Sequence, residues 1–340
     1  MSIDKVFAID KLEKNRTLSS EEFKALLTID DKETQEYLFL RSKETALRIF
    51  GNKIYIRTLI EFSNYCRQNC LYCGLCRDNR QLERYRLSKE EILECCEKGH
   101  SFGSKTFVLQ SGEDDYYTTE KMVDIIQAIR KQFSDCAITI SNGEKSADTY
   151  KAYYYAGANR FLLRHETINS EHYSKLHSAE RKIETRIKCL HELKAIGFQT
   201  GSGIMVGSPY QTIDNIIDDI YFLEKLQPEM IGIGPYLVSK DTPFKNQKAG
   251  SLELTLRLLA IFRLMHPNVL LPATTALETI HAEGKEKGIL AGANVVMLNF
   301  TPIHYREKYR LYDGRSSTRD LKNMLSKIGY EISYERGDYV

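Results

Sequence analysis

Between residues 54 and 298, short apolar runs alternate with longer segments of helical periodicity, and this alternation constrains the fold more than any other feature. The runs occupy 54–62, 106–109, 137–141, 160–164, 199–204, 230–233, 270–273 and 295–298. Helical patterns lie between them at 89–98, 120–132, 147–155, 182–195, 213–226 and 252–265. Short apolar runs bounded by polar or glycine-containing turns are what strands buried on both faces look like. Gly103, Gly157, Gly197 and Gly292 each precede a run by up to three residues, where glycine supplies the positive φ that ends a helix sharply. Eight such runs predict an α/β chain folded as a (β/α)8 barrel of the TIM type. A doubly wound open sheet has the same periodicity and stays open as an alternative.

The flanks read differently. Ser19 and Glu22 have capping-box spacing, with Phe23, Leu26 and Leu27 following at helical intervals. A second amphipathic run ends in Ala46, Leu47, Ile49 and Phe50, with Gly51 as its C-cap. A chain of 340 residues has room for two domains, yet no linker, low-complexity tract or charge block divides it. The expected organisation is a helical cap over 1–50, one catalytic barrel over 51–313, and a tail over 314–340 made of one helix and an extended end.

Charge excludes several classes of partner. Lys+Arg 48 against Asp+Glu 46 leaves +2, so there is no basic field for nucleic acid. No apolar run reaches the roughly 18 residues that span a bilayer. The N-terminal MSIDKVFAIDKLEKN lacks the apolar stretch of a signal peptide. The expectation is a cytoplasmic globular protein with no membrane or nucleic-acid partner.

Cysteines lie at 66, 70, 73, 76, 95, 96, 136 and 189, four of them inside an eleven-residue window. In a reducing cytosol such a cluster points to metal binding or catalysis rather than to disulfides. The window follows the first run and reads EFSNYCRQNCLYCG, so Cys66, Cys70 and Cys73 form C-x3-C-x2-C. Three thiolates can hold three irons of a four-iron cubane and leave the fourth iron open. Structural zinc would need a fourth ligand, and no second C-x2-C unit or histidine pair follows. Arg, Gln and Asn between the cysteines argue against simple packing of small apolar side chains. Cys76 reads as a bystander; Cys95, Cys96, Cys136 and Cys189 read as core. His100, His172, His177, His191, His266 and His281 show no metal-ligand spacing.

C-x3-C-x2-C with an aromatic before its last cysteine, after the first strand of a barrel, resembles the radical S-adenosylmethionine (SAM) enzymes. The resemblance implies one 4Fe-4S cluster that reductively cleaves SAM to methionine and a 5′-deoxyadenosyl radical, with the cofactor carrying the radical chemistry. EFSNYCRQNCLYCGLCRDN, LQSGED, LLRHET, GIMVGSPYQT, GIGPY, PATTA and GANVVMLNFTP, in this order, are similar to the HydE-type FeFe-hydrogenase maturases of the biotin synthase-like branch. Carried over position by position, Tyr72, Ser111, Gly112 and Glu113 would receive the cofactor with the cluster, Ser141 and Glu166 would lie by its ribose and methionine portions, and Arg186 would pair with the methionine carboxylate. Gly201, Gly203 and Gly207, with Pro209, read as a strand and turn where backbone must approach something closely, and the resemblance puts the adenine edge near this region.

The substrate side is expected after the barrel strands, from Gln110 and Arg164 to Thr274, Thr275, Met297 and Asn299, and then Tyr305, Arg306, Tyr309 and Tyr312. Hydroxyls, amides and a guanidinium converging there suit an anionic ligand; the three tyrosines equally suit a helix face packed on the barrel. The resemblance implies a cysteine-bound iron carbonyl cyanide substrate, a ferredoxin- or flavodoxin-type reductant, and other hydrogenase maturases as partners. Two departures stand out: no cysteine follows Cys189, so no accessory C-terminal cluster is expected, and Cys76 extends the motif. A mutase acting on a small organic molecule, of the methylornithine synthase kind, fits the same residues. A non-catalytic iron–sulfur carrier would not need the polar barrel interior.

Overall fold

A computed structural model describes residues 3–312 and 320–339. Three helices come first: α1 (Lys5–Asn15), α2 (Ser20–Leu27) and α3 (Lys32–Phe50). The Ser19–Glu22 capping box forms with both of its hydrogen bonds, and Gly51 caps α3 at φ 63°. Eight parallel strands follow: β1 (Lys53–Ser63), β2 (Thr106–Ser111), β3 (Ala137–Ser141), β4 (Arg160–Leu162), β5 (Gln199–Ser202), β6 (Met230–Ile231), β7 (Pro272–Ala273) and β8 (Val295–Asn299). Each pairs with its sequence neighbour, and β1 pairs with β8 from Tyr55↔Val295 to Leu59↔Asn299. Between β6 and β7 the ring is joined by a single bridge, Met230↔Leu270, with Ile231 N donating to Leu270 O at 3.1 Å. An open doubly wound sheet is thereby excluded; the fold is a nearly closed (β/α)8 barrel.

The remaining helices are α4 (Lys89–Ser101), α5 (Thr119–Gln132), α6 (Ala147–Ala156), α7 (Ser170–Leu176), α8 (Ile183–Ile196), α9 (Ile213–Leu226), α10 (Leu252–Met265), α11 (Thr275–Ile280), α12 (Gly284–Leu290), α13 (Ile303–Arg306) and α14 (Leu321–Lys327). Gly157 and Gly197 end α6 and α8 in the left-handed region, at φ 116° and 107°. The first three helices bury Ile9, Leu12, Phe23, Leu26 and Leu38 in the same apolar core as Leu256, Leu259 and Phe262 of α10.

Two features depart from the expected pattern. The runs at 199–204 and 230–233 break, because Gly203 (φ 155°) lies so close to Gly232 that a Cβ there would meet its carbonyl oxygen at 2.0 Å. The chain then forms a second parallel pair, Met205–Val206 with Gly234–Pro235. The tail is also more than an appendage. Glu331–Ser333 pairs in parallel with the start of β1. The buried Arg160 of β4 donates to the Arg336 and Gly337 carbonyls and to Asp338 Oδ1, which ties the tail to the N-terminal end of the barrel. Residues 314–319 of the expected tail, and the expected boundary at 313, lie outside the described residues. Among the described residues no helix is long and apolar enough to cross a membrane.

Candidate active site

The C-terminal ends of the strands open into a cavity of about 1070 Å³. Cys66, Cys70 and Cys73 line it. Their loop leaves β1 and is pinned at several points. Arg67 N donates to Glu113 O (2.9 Å), Leu71 N to Leu176 O (2.9 Å) and Gly74 N to Leu311 O (2.9 Å). Only glycine fits at 74, where a Cβ would lie 2.1 Å from Arg310 O. Arg84 donates to the Asn64, Leu75 and Cys76 carbonyls, satisfying loop acceptors that would otherwise be buried unpaired. Cys76 itself is buried outside the cavity wall.

The donor set fits a multi-iron cluster. Among the described residues the three sulfurs do not converge to within 4.8 Å, as ligands of a single ion must. Cysteines on separate corners of a cubane stand farther apart. The amides of Gln68 and Glu113 both point at Cys66 Sγ from 3.4 Å, the arrangement that stabilises a metal-bound thiolate. Burial raises all three thiol pKa values, that of Cys70 to about 11. The thiols are therefore neutral until a metal displaces their protons. His100, Asp135 and Cys136 do converge, but the Lys105 ammonium bonds both His100 and Asp135 and already supplies the cation.

A charged layer sits beside the cysteines. Glu113 accepts from Gln68 Nε2 (2.7 Å) and lies 3.1 Å from Arg181 Nη2. Arg181 and Arg186 both reach Glu144 Oε1, at 2.5 and 2.7 Å, and Arg186 Nη1 donates to Arg164 O at 2.7 Å. Burial pushes the Glu113 carboxyl up, yet the two arginines, Gln68 and Arg67 outweigh it and hold the group below the usual carboxylate range. Gly143 (φ 81°) lets this layer close, since a Cβ there would meet Glu113 Cγ at 2.1 Å.

Tyr72, Ser111, Gly112, Ser141 and Glu166 line the cavity near this layer. Tyr72 OH lies 3.3 Å from His177 Nε2, and Ser111 Oγ donates to the Gly112 carbonyl at 2.7 Å. Glu166 holds a left-handed backbone (φ 66°), and its carboxylate is 2.8 Å from Arg164 Nη2.

The inner wall carries the expected substrate-side residues. Gln110 Nε2 donates to Tyr309 OH (3.2 Å), Thr275 Oγ1 and Tyr312 OH are 3.0 Å apart, and Met297 lies on the wall between them and β1. Asn299 Nδ2 donates to Glu61 Oε2 at 2.8 Å. Two buried polar atoms of the wall have no protein partner, Arg164 Nε and Thr274 Oγ1. Unsatisfied buried donors in a cavity suit a polar ligand.

Tyr305 requires a correction. It lies off the cavity wall, stacks on Tyr85 at 4.7 Å and donates to Glu91 Oε1 at 3.2 Å. It is a packing residue because α13 turns it toward α4, while Tyr309 and Tyr312 face inward. The glycines at 201, 203 and 207 do allow the close backbone approach expected of them: a Cβ on them would meet Leu162, Gly232 and Gly250.

Sequence reasoning missed Arg181, Glu144 and Glu61. Arg181 lies in the polar stretch Ser178-Ala-Glu-Arg-Lys with no periodicity to mark it. Glu61 was legible in principle, because Arg57, Leu59 and Glu61 alternate along β1 on one face.

Residues 60–223 match the radical SAM superfamily, and residues 220–331 match the Biotin and Thiamin Synthesis associated domain. The chain is 45% identical over 307 residues to the [FeFe] hydrogenase maturase subunit HydE of Thermotoga maritima, covering 90% of this chain and 87% of that protein. It is 29% identical to a 3-methylornithine synthase of Methanosarcina acetivorans over 94% of this chain and 91% of the relative. Among solved structures it is similar to methylornithine synthase PylB, with a TM-score of 0.83 and 26% identity over 96% of this chain and 97% of the other. On the cysteine triad, the barrel that carries it and this degree of identity, the chain belongs to the HydE family of radical SAM enzymes.

Proposed function

We propose that this enzyme acts in maturation of the FeFe-hydrogenase active site, on a cysteine-bound iron carbonyl cyanide precursor. The observation that carries the reading is the 45% identity to HydE across 90% of the chain, against 29% to the methylornithine synthase. Cys66, Cys70 and Cys73 hold the 4Fe-4S cluster. When bound and reduced, the cluster supplies the electron that cleaves SAM to a 5′-deoxyadenosyl radical.

The chain's own residues position the reactants. Arg186, already buried beside Glu144, presents a guanidinium to the methionine carboxylate. Ser111, Gly112 and Glu113 meet the methionine amine through backbone oxygens and a carboxylate held ionised by Arg181. Tyr72 closes the cluster side of the cavity, and Ser141 and Glu166 take the ribose. On the inner wall Gln110, Arg164, Thr274, Thr275, Met297, Asn299, Tyr309 and Tyr312 hold the substrate; Arg164 Nε and the Thr274 hydroxyl are the unsatisfied groups an anionic ligand would bond. The apolar parts of the wall exclude water from the radical. The reductant is of the ferredoxin or flavodoxin type, and the other hydrogenase maturases are its functional partners.

The test is substrate-triggered cofactor cleavage. Reduced enzyme with SAM is given either a synthetic cysteine-bound iron dicarbonyl cyanide or lysine, the isomer of 3-methylornithine. Consumption of the iron complex, with 5′-deoxyadenosine formed beyond the substrate-free rate, is expected. Conversion of lysine to methylornithine would replace this reading by the mutase.

A further inference from the structure

Glu166 is one of four non-glycine residues in the left-handed region among the described residues, and the one that lines the large cavity. Such a conformation is unfavourable for a side chain and persists only where its surroundings over-determine it. Beside it lies a fully buried set of three polar side chains, His165, Ser202 and Asp219, none of which lines the cavity. His165 Nδ1 lies 2.9 Å from Ser202 Oγ, and His165 Nε2 lies 3.3 Å from Asp219 Oδ1. Ser202 Oγ donates its proton to Leu163 O at 3.1 Å, so it must accept from His165 Nδ1. The other ring nitrogen faces Asp219 Oδ1 across 3.3 Å without forming a hydrogen bond, so the carboxylate packs against that edge of the ring.

Asp219 belongs to α9 and grips the loop a second time, because Ile168 N donates to Oδ1 at 2.5 Å. Burial raises its carboxyl pKa, against the facing His165 ring and the Ile168 amide. The nearby His172 is engaged elsewhere, by Pro209 O at 3.0 Å. Glu166 N donates to Gly203 O at 3.1 Å. Glu166 is thus bracketed on both sides, at 165 and at 168, by one carboxylate on a helix outside the barrel.

We propose that Asp219, His165 and Ser202 form a buried positioning brace that fixes Glu166 in its left-handed conformation and aims the Glu166–Arg164 pair at the bound cofactor. This rests on the reading of Glu166 as a SAM-binding residue. These are positioning residues, since none of the three reaches the cavity.

In Asp219→Asn the Oδ1 that accepts from Ile168 stays, but the carboxylate facing His165 Nε2 is replaced by a neutral amide. A small misplacement of a binding group is enough to cost tenfold or more. Reconstituted enzyme with full iron content is therefore expected to show about a tenfold higher KM for SAM in 5′-deoxyadenosine formation, with kcat changed much less. The same substitution in a Glu166→Ala background is expected to add nothing, because residues acting through one group are not additive. Ser202→Ala, which removes a single hydroxyl, is expected to raise KM about threefold and carries the same cycle if Asp219→Asn does not assemble. An unchanged KM in Asp219→Asn beside a raised KM in Glu166→Ala overturns the brace alone, as does full additivity of the two. An unchanged KM in Glu166→Ala overturns the assignment of Glu166 to the cofactor, and the brace with it.

Discussion

Arg186 Nε lies 2.7 Å from Glu144 Oε1 while its Nη1 donates to the carbonyl of Arg164, so the guanidinium is oriented before any ligand arrives. Burial alone lowers its pKa, but the Glu144 carboxylate beside it opposes this and keeps the group charged. Arg186→Ala is expected to weaken SAM binding roughly tenfold to a hundredfold, the worth of one charge-assisted bond. Iron content is expected to stay normal. Equilibrium binding of SAM to the cluster-loaded variant checks this, and unchanged affinity removes Arg186 from the site.

Under the proposed assignment the three thiols are interdependent ligands. Cys70→Ala is expected to abolish cluster assembly and SAM cleavage together, whereas Cys76→Ala, buried outside the cavity wall, leaves both intact. Iron and sulfide content with 5′-deoxyadenosine yield measures both. Normal cleavage by Cys70→Ala would sink the cluster assignment.

Glu61 gives a pH signature. Burial raises its carboxyl to about 7, against the Asn299 hydrogen bond and the Arg306 charge, from an ordinary value of 4.5. The folded state favours the protonated form. This contribution to stability is full below about 4.5 and is lost as pH rises through 7, on the order of 3 kcal/mol in all. Glu61→Gln removes the titration. The variant is expected to melt higher than the parent at pH 8 and no higher at pH 5; parallel melting curves at both pH values would contradict the assignment.

Asp338 anchors the tail on Arg160 at 2.8 Å. The guanidinium keeps its bonds to the Arg336 and Gly337 carbonyls, so Asp338→Ala is expected to cost about 1–3 kcal/mol rather than to unfold the chain. Urea unfolding measures it. No loss would mean that the tail does not hold the barrel's N-terminal end.

Much of this architecture was legible because local rules and the global fold agree. The Ser19–Glu22 box, the glycines at 103, 157, 197 and 292, and the eight apolar runs each satisfied a backbone requirement that the barrel also imposes. The site was legible where residues cluster in sequence, as with Cys66, Cys70 and Cys73. It was not where partners meet only in space. Glu113 and Arg181 are 68 positions apart, and neither segment's periodicity points to the other. On β1, buried on both sides, burial alone hides which side is the cavity, and only the charges at Arg57 and Glu61 mark it. Tyr305 misled for the converse reason: residues 305, 309 and 312 share a pattern, but the first lies on α13, which turns it toward α4, and the other two follow that helix.

The most direct measurement is anaerobic maturation of apo-hydrogenase in a mixture containing every other maturation component, followed by hydrogen evolution. The account predicts activity that requires this enzyme and is lost in Cys66→Ala, Cys70→Ala and Cys73→Ala alike. Robust 5′-deoxyadenosine formation with no hydrogen evolution in that mixture would contradict it, leaving the radical machinery in place and the maturase role without support.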